Sequence, residues 1–284
     1  MPLVKSYIRR SYDPLGRLST YSEKDISSAN LNLLVGSETY SYNLSGMMTN
    51  VYKLAGLIGE NEAYSYSSTH QPHAALGMGP FIYEYDALGR QTNQTENGIQ
   101  TRSIQYNSQN LIRTVTQSGV KMDMHYVDGS RYSISNQVEH STFIDEEYQK
   151  QVISGATNHF YNVHFGGGLS VRAIYDEVTQ QWSLRGNLRD ERDSTSVIVN
   201  DQDQELDHFT YDPFGLRLSQ QSLNFNPKSV VAYADYYHDR DTGLDYARGR
   251  FYDPRLRHFL SVDPKKVENL KDCRVTMPPH IMIL

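Results

Sequence analysis

A short phrase occurs three times along this 284-residue chain, and it constrains the fold more strongly than any other feature of the sequence. Its copies read YDPLGRL at 12–18, YDALGR at 85–90 and YDPFGLR at 211–217. The aspartate can hydrogen-bond its own backbone and begin a turn, proline pre-sets φ, and glycine supplies a positive φ. Each copy therefore predicts a β-hairpin whose turn is built from the phrase itself.

Weaker copies of the phrase extend this pattern through the first half of the chain. They lie at 40–46, 104–111 and 124–129. Tyrosines also recur at intervals of 19, 21 and 20 residues in the series Tyr66, Tyr85, Tyr106 and Tyr126. This interval fits two strands and two turns, so we expect tyrosine ladders across neighbouring hairpins. The alternative is a β-sandwich made of unrelated hairpins.

The composition supports a β-rich chain and argues against several classes of protein. The chain has 22 tyrosines against 9 phenylalanines and 1 tryptophan, and tyrosine favours half-buried pleated surfaces. A net charge of −6 argues against nucleic-acid binding through the phosphate backbone. The single cysteine, Cys273, excludes an internal disulfide framework and a cysteine-rich metal site.

The sequence shows no targeting or membrane signal. No apolar run approaches the roughly 20 residues that a membrane helix needs. The first ten residues lack the apolar segment of a secretory signal. We therefore expect no membrane span and no signal peptide, and the localisation stays unknown.

The phrase Tyr-Asp-x-x-Gly-Arg resembles the YD repeat of the RHS (rearrangement hotspot) family. That family includes bacterial polymorphic toxins and the C-component of insecticidal toxin complexes. The C-terminal third resembles the RHS repeat-associated core of the family. The matching stretches are 193–201, 209–215, GLDYARGRFYDP at 243–254 and RHFLSVDP at 257–264.

This resemblance implies an all-β fold, in which a long antiparallel strip of YD-repeat hairpins spirals as part of an RHS-type shell. We divide the chain into YD-repeat hairpins at 1–131, a divergent β connection at 132–192, the core at 193–264 and an unrelated short tail at 265–284. The tail is too short for the toxin domain that the family carries there, so we expect a truncated fragment.

Two departures from the family pattern concern turns. The family usually has Asp-His-Leu-Gly-Ser where this chain has Asp190-Glu191-Arg192-Asp193-Ser194. The usual Gly-Arg before Phe259 is replaced by Arg257-His258, which removes a glycine from a turn. We expect a cost of about 1 kcal/mol at such a position if the backbone there needs a positive φ.

The resemblance also implies candidate catalytic residues, because the family cleaves itself at a centre similar to that of an aspartyl protease. Arg250 matches the arginine of that centre and Asp263 its first aspartate. Aspartyl chemistry needs two carboxylates that share one proton, and the second aspartate has no counterpart, since Asp272 comes too early. We therefore expect Arg250 and Asp263 to form an ion pair and the chain not to act as an enzyme.

Other candidate sites are weaker. Gly166–Gly168 lack a following Gly-Lys-Ser/Thr, so a tight strand connection is favoured over a phosphate-binding loop. Neither the histidines at 70 and 73 nor the possible ligands of the stretch His238–Asp241 match a known metal spacing. The sequence therefore predicts no cofactor and no metal.

Three functions remain open at this point. The leading hypothesis is a structural remnant of a toxin casing that, in complete relatives, encloses and delivers a C-terminal toxin. The second is residual self-cleavage near Asp263. The third is a surface module whose tyrosines, such as Tyr236 and Tyr237, bind glycans or a partner. Expected partners are other segments of an RHS toxin complex or a second copy of the chain, and complete relatives are secreted or delivered outside the cell.

Overall fold

The computed structural model describes residues 6–25, 33–55, 58–67, 74–144, 147–165, 169–222 and 229–262. These residues form twenty-five β-strands and one three-residue 3₁₀ helix, η1 (Tyr233–Asp235). None of their helices is long and apolar enough to cross a membrane. The all-β fold class predicted from the repeats is confirmed.

The strands follow one another with short connections. The first ten are β1 (Ser6–Tyr12), β2 (Leu18–Asp25), β3 (Leu33–Tyr42), β4 (Met48–Ala55), β5 (Ile58–Tyr66), β6 (Ala75–Met78), β7 (Phe81–Tyr85), β8 (Gln91–Glu96), β9 (Ile99–Tyr106) and β10 (Ile112–Gln117). The next ten are β11 (Val120–Val127), β12 (Ser130–Ser135), β13 (Glu139–Phe143), β14 (Tyr148–Ile153), β15 (Ala156–Phe165), β16 (Leu169–Asp176), β17 (Gln181–Arg189), β18 (Thr195–Val199), β19 (Glu205–Tyr211) and β20 (Arg217–Ser222). The last five are β21 (Ser229–Val231), β22 (Tyr237–Asp239), β23 (Leu244–Ala247), β24 (Arg250–Asp253) and β25 (His258–Phe259).

The described residues fall into two compact units, one of 6–84 with 95–99 and the other of 85–94 with 100–262. In the first unit, each strand from β1 to β6 pairs antiparallel with the next, so that β7 is the last strand of this run. In the second unit, β9 to β20 continue in the same way. Strands β21 to β25 form a separate five-stranded sheet. The predicted strip of consecutive hairpins is thus present in both units.

Seven of the connecting turns share one five-residue design. The first residue is Asp or Asn, and its backbone N–H donates to the carbonyl of the fifth residue while its own carbonyl accepts from the fourth N–H. Its side-chain Oδ1 accepts from the fifth N–H as well. The turns are 13–17, 43–47, 86–90, 107–111, 190–194, 200–204 and 212–216.

The fourth residue of every such turn has a positive φ. Glycine occupies it in four turns, at Gly16, Gly46, Gly89 and Gly215. In the other three turns it is Asn110, Asp193 or Asp203, with φ between 57° and 65°. Asn and Asp tolerate the left-handed region better than other residues with a Cβ. The turns at 190–194 and 200–204 have this design without the glycine, so the phrase does not identify them in the sequence.

The tyrosine that precedes a turn joins its hairpin to the one before. In five hairpins its hydroxyl donates to the carbonyl of the first residue after an earlier five-residue turn, at distances of 2.7–2.9 Å. The pairs are Tyr42 to Leu18, Tyr66 to Met48, Tyr106 to Gln91, Tyr126 to Ile112 and Tyr211 to Thr195. Phenylalanine could not make this bond, which explains why tyrosine outnumbers it.

The arginine that ends a turn packs on the same tyrosines. Arg17 is bound to Asp13 of its own turn, with its guanidinium carbon 4.6 Å from the ring centroid of Tyr42. Arg90 likewise lies 4.5 Å from the ring centroid of Tyr106. A guanidinium over an aromatic face is attracted by the ring quadrupole. The Tyr-Asp-x-x-Gly-Arg phrase thus provides a turn, and its tyrosine and arginine are the residues that connect neighbouring hairpins.

The second unit has a hydrophobic core between its long sheet and the five-stranded sheet. Its buried members come from strands β9 to β12 and from the segment that carries β23 to β25. They are Ile104, Ile112, Val115, Met122, Met124, Ile134, Leu244, Tyr246, Phe251 and Leu260. The core signature recognised in the sequence therefore covers one face of the YD-repeat hairpins.

Candidate functional site

The two residues predicted to form the self-cleavage centre cannot be brought together here. Arg250 begins β24, and its guanidinium carbon lies 3.7 Å from the ring centroid of Phe259, in the same sheet. Asp263 lies outside the described residues, as do Asp272, His70, His73, Cys273 and Gly166–Gly168. The Arg250–Asp263 ion pair and the absence of self-cleavage therefore stay predictions.

The described part of the core signature forms a site of buried charges. The signature folds into the hairpin of β23 and β24. Asp245 pairs with Tyr252 across this hairpin, whereas Asp253 lies two residues after the core residue Phe251, so the two carboxylates are on opposite faces of the sheet. Both aspartates are almost fully buried. Buried carboxylates are costly unless they are paired, so their partners define the site.

Arg102 is the partner of Asp253. Its Nη1 lies 2.5 Å from Asp253 Oδ2, and both side chains are buried. The remaining donors of the guanidinium are also used, because Nε donates to Gln117 Oε1 at 2.8 Å and Nη2 to the carbonyl of Thr242 at 3.2 Å. This charge pair fixes β9 and β10 to the five-stranded sheet.

Arg257 provides the second buried pair. Its Nη2 lies 3.6 Å from Oδ2 of Asp212, the aspartate of the third YD phrase, and both side chains are fully buried. Arg257 occupies the position where the family has glycine, and its φ of 63° shows that the turn does need a positive φ. The arginine thus accepts an unfavourable backbone conformation and brings a cation to Asp212.

His238 is the partner of Asp245. The two residues face each other across β22 and β23, and His238 Nδ1 lies 2.6 Å from Asp245 Oδ1. Burial raises the pKa of Asp245, and the hydrogen bond from His238 offsets part of that rise. This pair was among the histidine candidates of the sequence, but its partner is a carboxylate of the next strand and not a metal.

Asp239 is buried without a direct cation. Burial raises its pKa to about 6, and the nearby charge of Arg131 lowers it in part. The guanidinium of Arg131 lies 4.4 Å from the ring centroid of Tyr246 and 4.7 Å from that of Phe143. The arginine is therefore held between aromatic rings, and Asp239 feels its charge only at a distance.

The arrangement binds charges in pairs. Asp212 and Asp253 each face an arginine and Asp245 faces a histidine, whereas aspartyl chemistry needs two carboxylates that share a proton. Within the described ranges, no cluster of three His, Cys, Asp or Glu side chains could hold a metal ion. The described part of the site is thus suited to hold two sheets together.

Sequence reasoning missed most of these partners. Arg102 and Asp253 are 151 residues apart, and no local pattern links them. Arg257 was noticed only as a missing glycine. The one available signal was that a basic residue replaced glycine in a turn next to a buried signature, which could have suggested a buried counter-charge.

Comparisons with known proteins agree with this fold. No family model matches the chain. The chain is 24% identical over 260 residues to the tRNA nuclease WapA of Bacillus subtilis, which covers 90% of the chain and 10% of that protein. It is 23% identical over 228 residues to the tRNA3(Ser)-specific nuclease WapA of Bacillus spizizenii, covering 64% of the chain. The chain spans about a tenth of the length of these relatives.

Solved structures of toxin complexes share the architecture. A crystal structure of TcdB2-TccC3-Cdc42 matches 90% of the chain with a TM-score of 0.73 and 17% identity. The Tc holotoxin pore of Photorhabdus luminescens, with a TccC3 variant, matches 90% with a TM-score of 0.74 and 16% identity. The match covers 14% of each of those chains. The chain therefore has the fold of the RHS/YD-repeat shell, which its repeated turn phrase and core signature resemble in sequence.

Proposed function

We propose that this chain is a wall segment of an RHS-type toxin casing. The observation that carries the proposal is the likeness of 90% of the chain to one stretch of TccC3-containing toxin complexes. In complete members of the family that the sequence resembles, such a casing encloses and delivers a C-terminal toxin. The nuclease activity in the names of the WapA proteins belongs to much longer chains and forms no part of the proposal.

The geometry supports a wall in two ways. Five hairpins are joined to an earlier one by a tyrosine hydroxyl, in addition to the backbone pairing between consecutive strands within each unit. The five-stranded sheet then covers one face and is fixed there by the buried pair of Arg102 and Asp253. A wall must resist local opening, and buried pairs and continuous hydrogen bonding raise the free energy of such opening.

A chimeric toxin tests this role directly. The stretch of the TcdB2-TccC3 complex that matches this chain would be replaced by the chain itself, and the resulting complex would be purified. We expect the enclosed cargo to resist added protease as it does in the parent complex. Arg102→Met in the chimera should abolish that protection, because it leaves Asp253 buried without its cation. The matched control Leu15→Ser changes an exposed side chain and should leave protection intact.

Degradation of the cargo in an assembled chimera would contradict the proposal. If the chimera does not assemble, hydrogen exchange on the isolated chain supplies the second measurement. A wall segment should protect the amides of β9 to β19 as one slowly exchanging group. Rapid exchange throughout these strands would equally count against the proposal.

A further inference from the structure

Three neighbouring strands of the second unit carry an exposed apolar surface. We call it the apolar face, and it consists of Tyr161, Val163, Phe165, Leu169, Trp182, Leu184 and Leu188. These side chains are between 38% and 59% exposed, and the chain's single tryptophan is the most exposed of them. Large contiguous apolar patches are rare on soluble proteins and mark interaction sites.

The strands show that this face is the outer one of a layer. Side chains that alternate with it, such as Phe160, Arg172 and Ile174, are buried. Arg172 packs on Phe160, with its guanidinium carbon 4.2 Å from the ring centroid, and interacts with Tyr237 of the five-stranded sheet. The inner face is thus buried around Phe160, Arg172 and Ile174. The outer face is also apolar, as the face of a sheet is where another layer covers it.

The register aligns the apolar face in rows across β15, β16 and β17. The rows are Tyr161–Ala173–Leu184, Val163–Val171–Gly186 and Phe165–Leu169–Leu188. These nine positions carry no charged side chain. The row that holds Trp182 also contains Tyr175 and His159, and His159 binds Glu177 at one edge of the face. A surface that meets an identical surface across a two-fold axis must be complementary to itself, and an uncharged apolar surface satisfies this without like-charge repulsion.

Aromatic rings extend one end of the face into a cluster. Ring centroids are 5.0 Å apart for Tyr148 and Tyr161, 5.7 Å for Tyr161 and Trp182, and 5.0 Å for Trp182 and Tyr175. Aromatic pairs at such distances stabilise one another and hold the rings in place. The cluster is therefore a preorganised anchor, which lowers the entropy lost when a partner binds.

We propose that a second copy of this chain docks on the apolar face, sheet against sheet. The exposed apolar area of the seven side chains is on the order of 600 Å², judged from the sizes of aromatic and aliphatic side chains. Two such faces in contact remove on the order of 1,200 Å² from water, above the roughly 1,000 Å² expected of a specific interface. This inference stands apart from the proposed casing role.

Trp182 reports on the interface without any label, because it is the only tryptophan of the chain. Sedimentation velocity and tryptophan emission would be measured on the full chain between about 0.5 and 100 μM, the range in which interfaces of this size associate. We expect the mass to double as concentration rises. The emission should shift to shorter wavelength over the same range, because the indole leaves water.

Paired variants locate the contact. Leu184→Glu places a charge in the row of Tyr161 and Ala173 and should weaken dimerisation at least tenfold, as expected for a charge buried at an interface. Val178→Glu adds the same charge at an exposed position in the turn between β16 and β17, outside the face, and should leave the dimer unchanged. Far-UV circular dichroism checks that both variants are folded. Iodide quenching of Trp182 in the wild-type chain tests the same contact without any substitution.

Several results would overturn the proposal. A monomer at every concentration excludes the second copy. A dimer that persists in Leu184→Glu, or a Trp182 equally open to iodide in monomer and dimer, moves the contact to another surface. An emission shift caused by an oligosaccharide such as a chitin or cellulose fragment, with no change in mass, would assign the aromatic cluster to carbohydrate instead.

Discussion

The first and third copies of the repeated phrase form the same turn in different surroundings. In both, the aspartate (Asp13 or Asp212) accepts two backbone N–H groups through Oδ1, and the glycine has a positive φ. Leu15 of the first turn is 71% exposed, whereas the equivalent Phe214 is 4% exposed. The phrase determines the backbone conformation of the turn. The burial of its side chains is determined by the elements that pack on the turn.

The surroundings also change the role of the aspartate. Asp13 pairs with Arg17 of its own turn, 2.6 Å away. In the third turn the fifth residue is Leu216, and Asp212 faces the distant Arg257. The carbonyl of Phe214 accepts the hydroxyl of Tyr252. The third turn is thus an attachment point for the five-stranded sheet. Matched substitutions in the two turns can test this difference.

The largest effect is expected at the two aspartates. Asp212→Asn keeps the turn acceptor but leaves the Arg257 guanidinium buried without its counter-charge, which should cost about 3–5 kcal/mol of unfolding free energy. Asp13→Asn should change stability little, because asparagine holds the same position at Asn43 and Asn107. Denaturant melts of both variants measure the difference. Equal losses would show that the Asp212–Arg257 pair contributes nothing.

The two glycines should differ almost as much. A Cβ on Gly215 would lie 2.5 Å from a ring carbon of Tyr233, whereas a Cβ on Gly16 would have no atom within 4 Å. Gly215→Ala should therefore cost about 2–4 kcal/mol, from overpacking added to a positive φ. Gly16→Ala should cost only about 1 kcal/mol for its φ. Similar thermal midpoint shifts in the two variants would mean that Tyr233 moves aside freely.

Asp239 extends the comparison to a buried aspartate that has no direct cation. Its pKa of about 6 in the folded chain exceeds the usual value of 3.8. Protonation of Asp239 therefore favours the folded state. The stability that this protonation contributes is fully present below pH 4 and is lost as the pH rises through 6. Asp239→Asn should stabilise the chain by about 3 kcal/mol at pH 7 and by almost nothing at pH 4. A stability difference independent of pH would contradict the raised pKa.

The smallest effect concerns the tyrosines that open the two phrases. Tyr211 is buried and donates to the carbonyl of Thr195 at 2.9 Å, whereas Tyr12 is 60% exposed. Tyr211→Phe should cost about 1–2 kcal/mol, because it removes a hydrogen bond and leaves a buried carbonyl unsatisfied. Tyr12→Phe should be neutral within about 0.5 kcal/mol. A neutral Tyr211→Phe would show that water replaces the hydroxyl without cost.

Local chemistry explains what the sequence could predict. The phrase specifies its turn through residues at most four positions apart, so hairpins at 12–18, 85–90 and 211–217 could be recognised directly. The turns at 190–194 and 200–204 could not, because Asp193 and Asp203 stand where glycine was expected. Both aspartates adopt the left-handed region, which aspartate tolerates. An aspartate at this position indicates a turn only once the turn design is known.

The candidate site was less predictable than the fold. Its charge pairs join residues from distant parts of the chain, such as Arg102 with Asp253 and Asp212 with Arg257. Sequence position gives no information on which cation reaches a buried carboxylate, because packing of the two sheets decides it. The family resemblance predicts a site at Arg250 and Asp263. The charge pairs among the described residues are formed by other side chains.

The tyrosine joint has a consequence for how such chains change over time. The tyrosine and the carbonyl that it binds are separated by 24, 18, 15, 14 and 16 residues in the five joints. The contact therefore depends on the ends of hairpins and not on the length of the strands between them. Hairpins of unequal length can be inserted, lost or exchanged while each junction keeps its geometry. A gene built from such units can recombine at its repeats and still encode a continuous sheet.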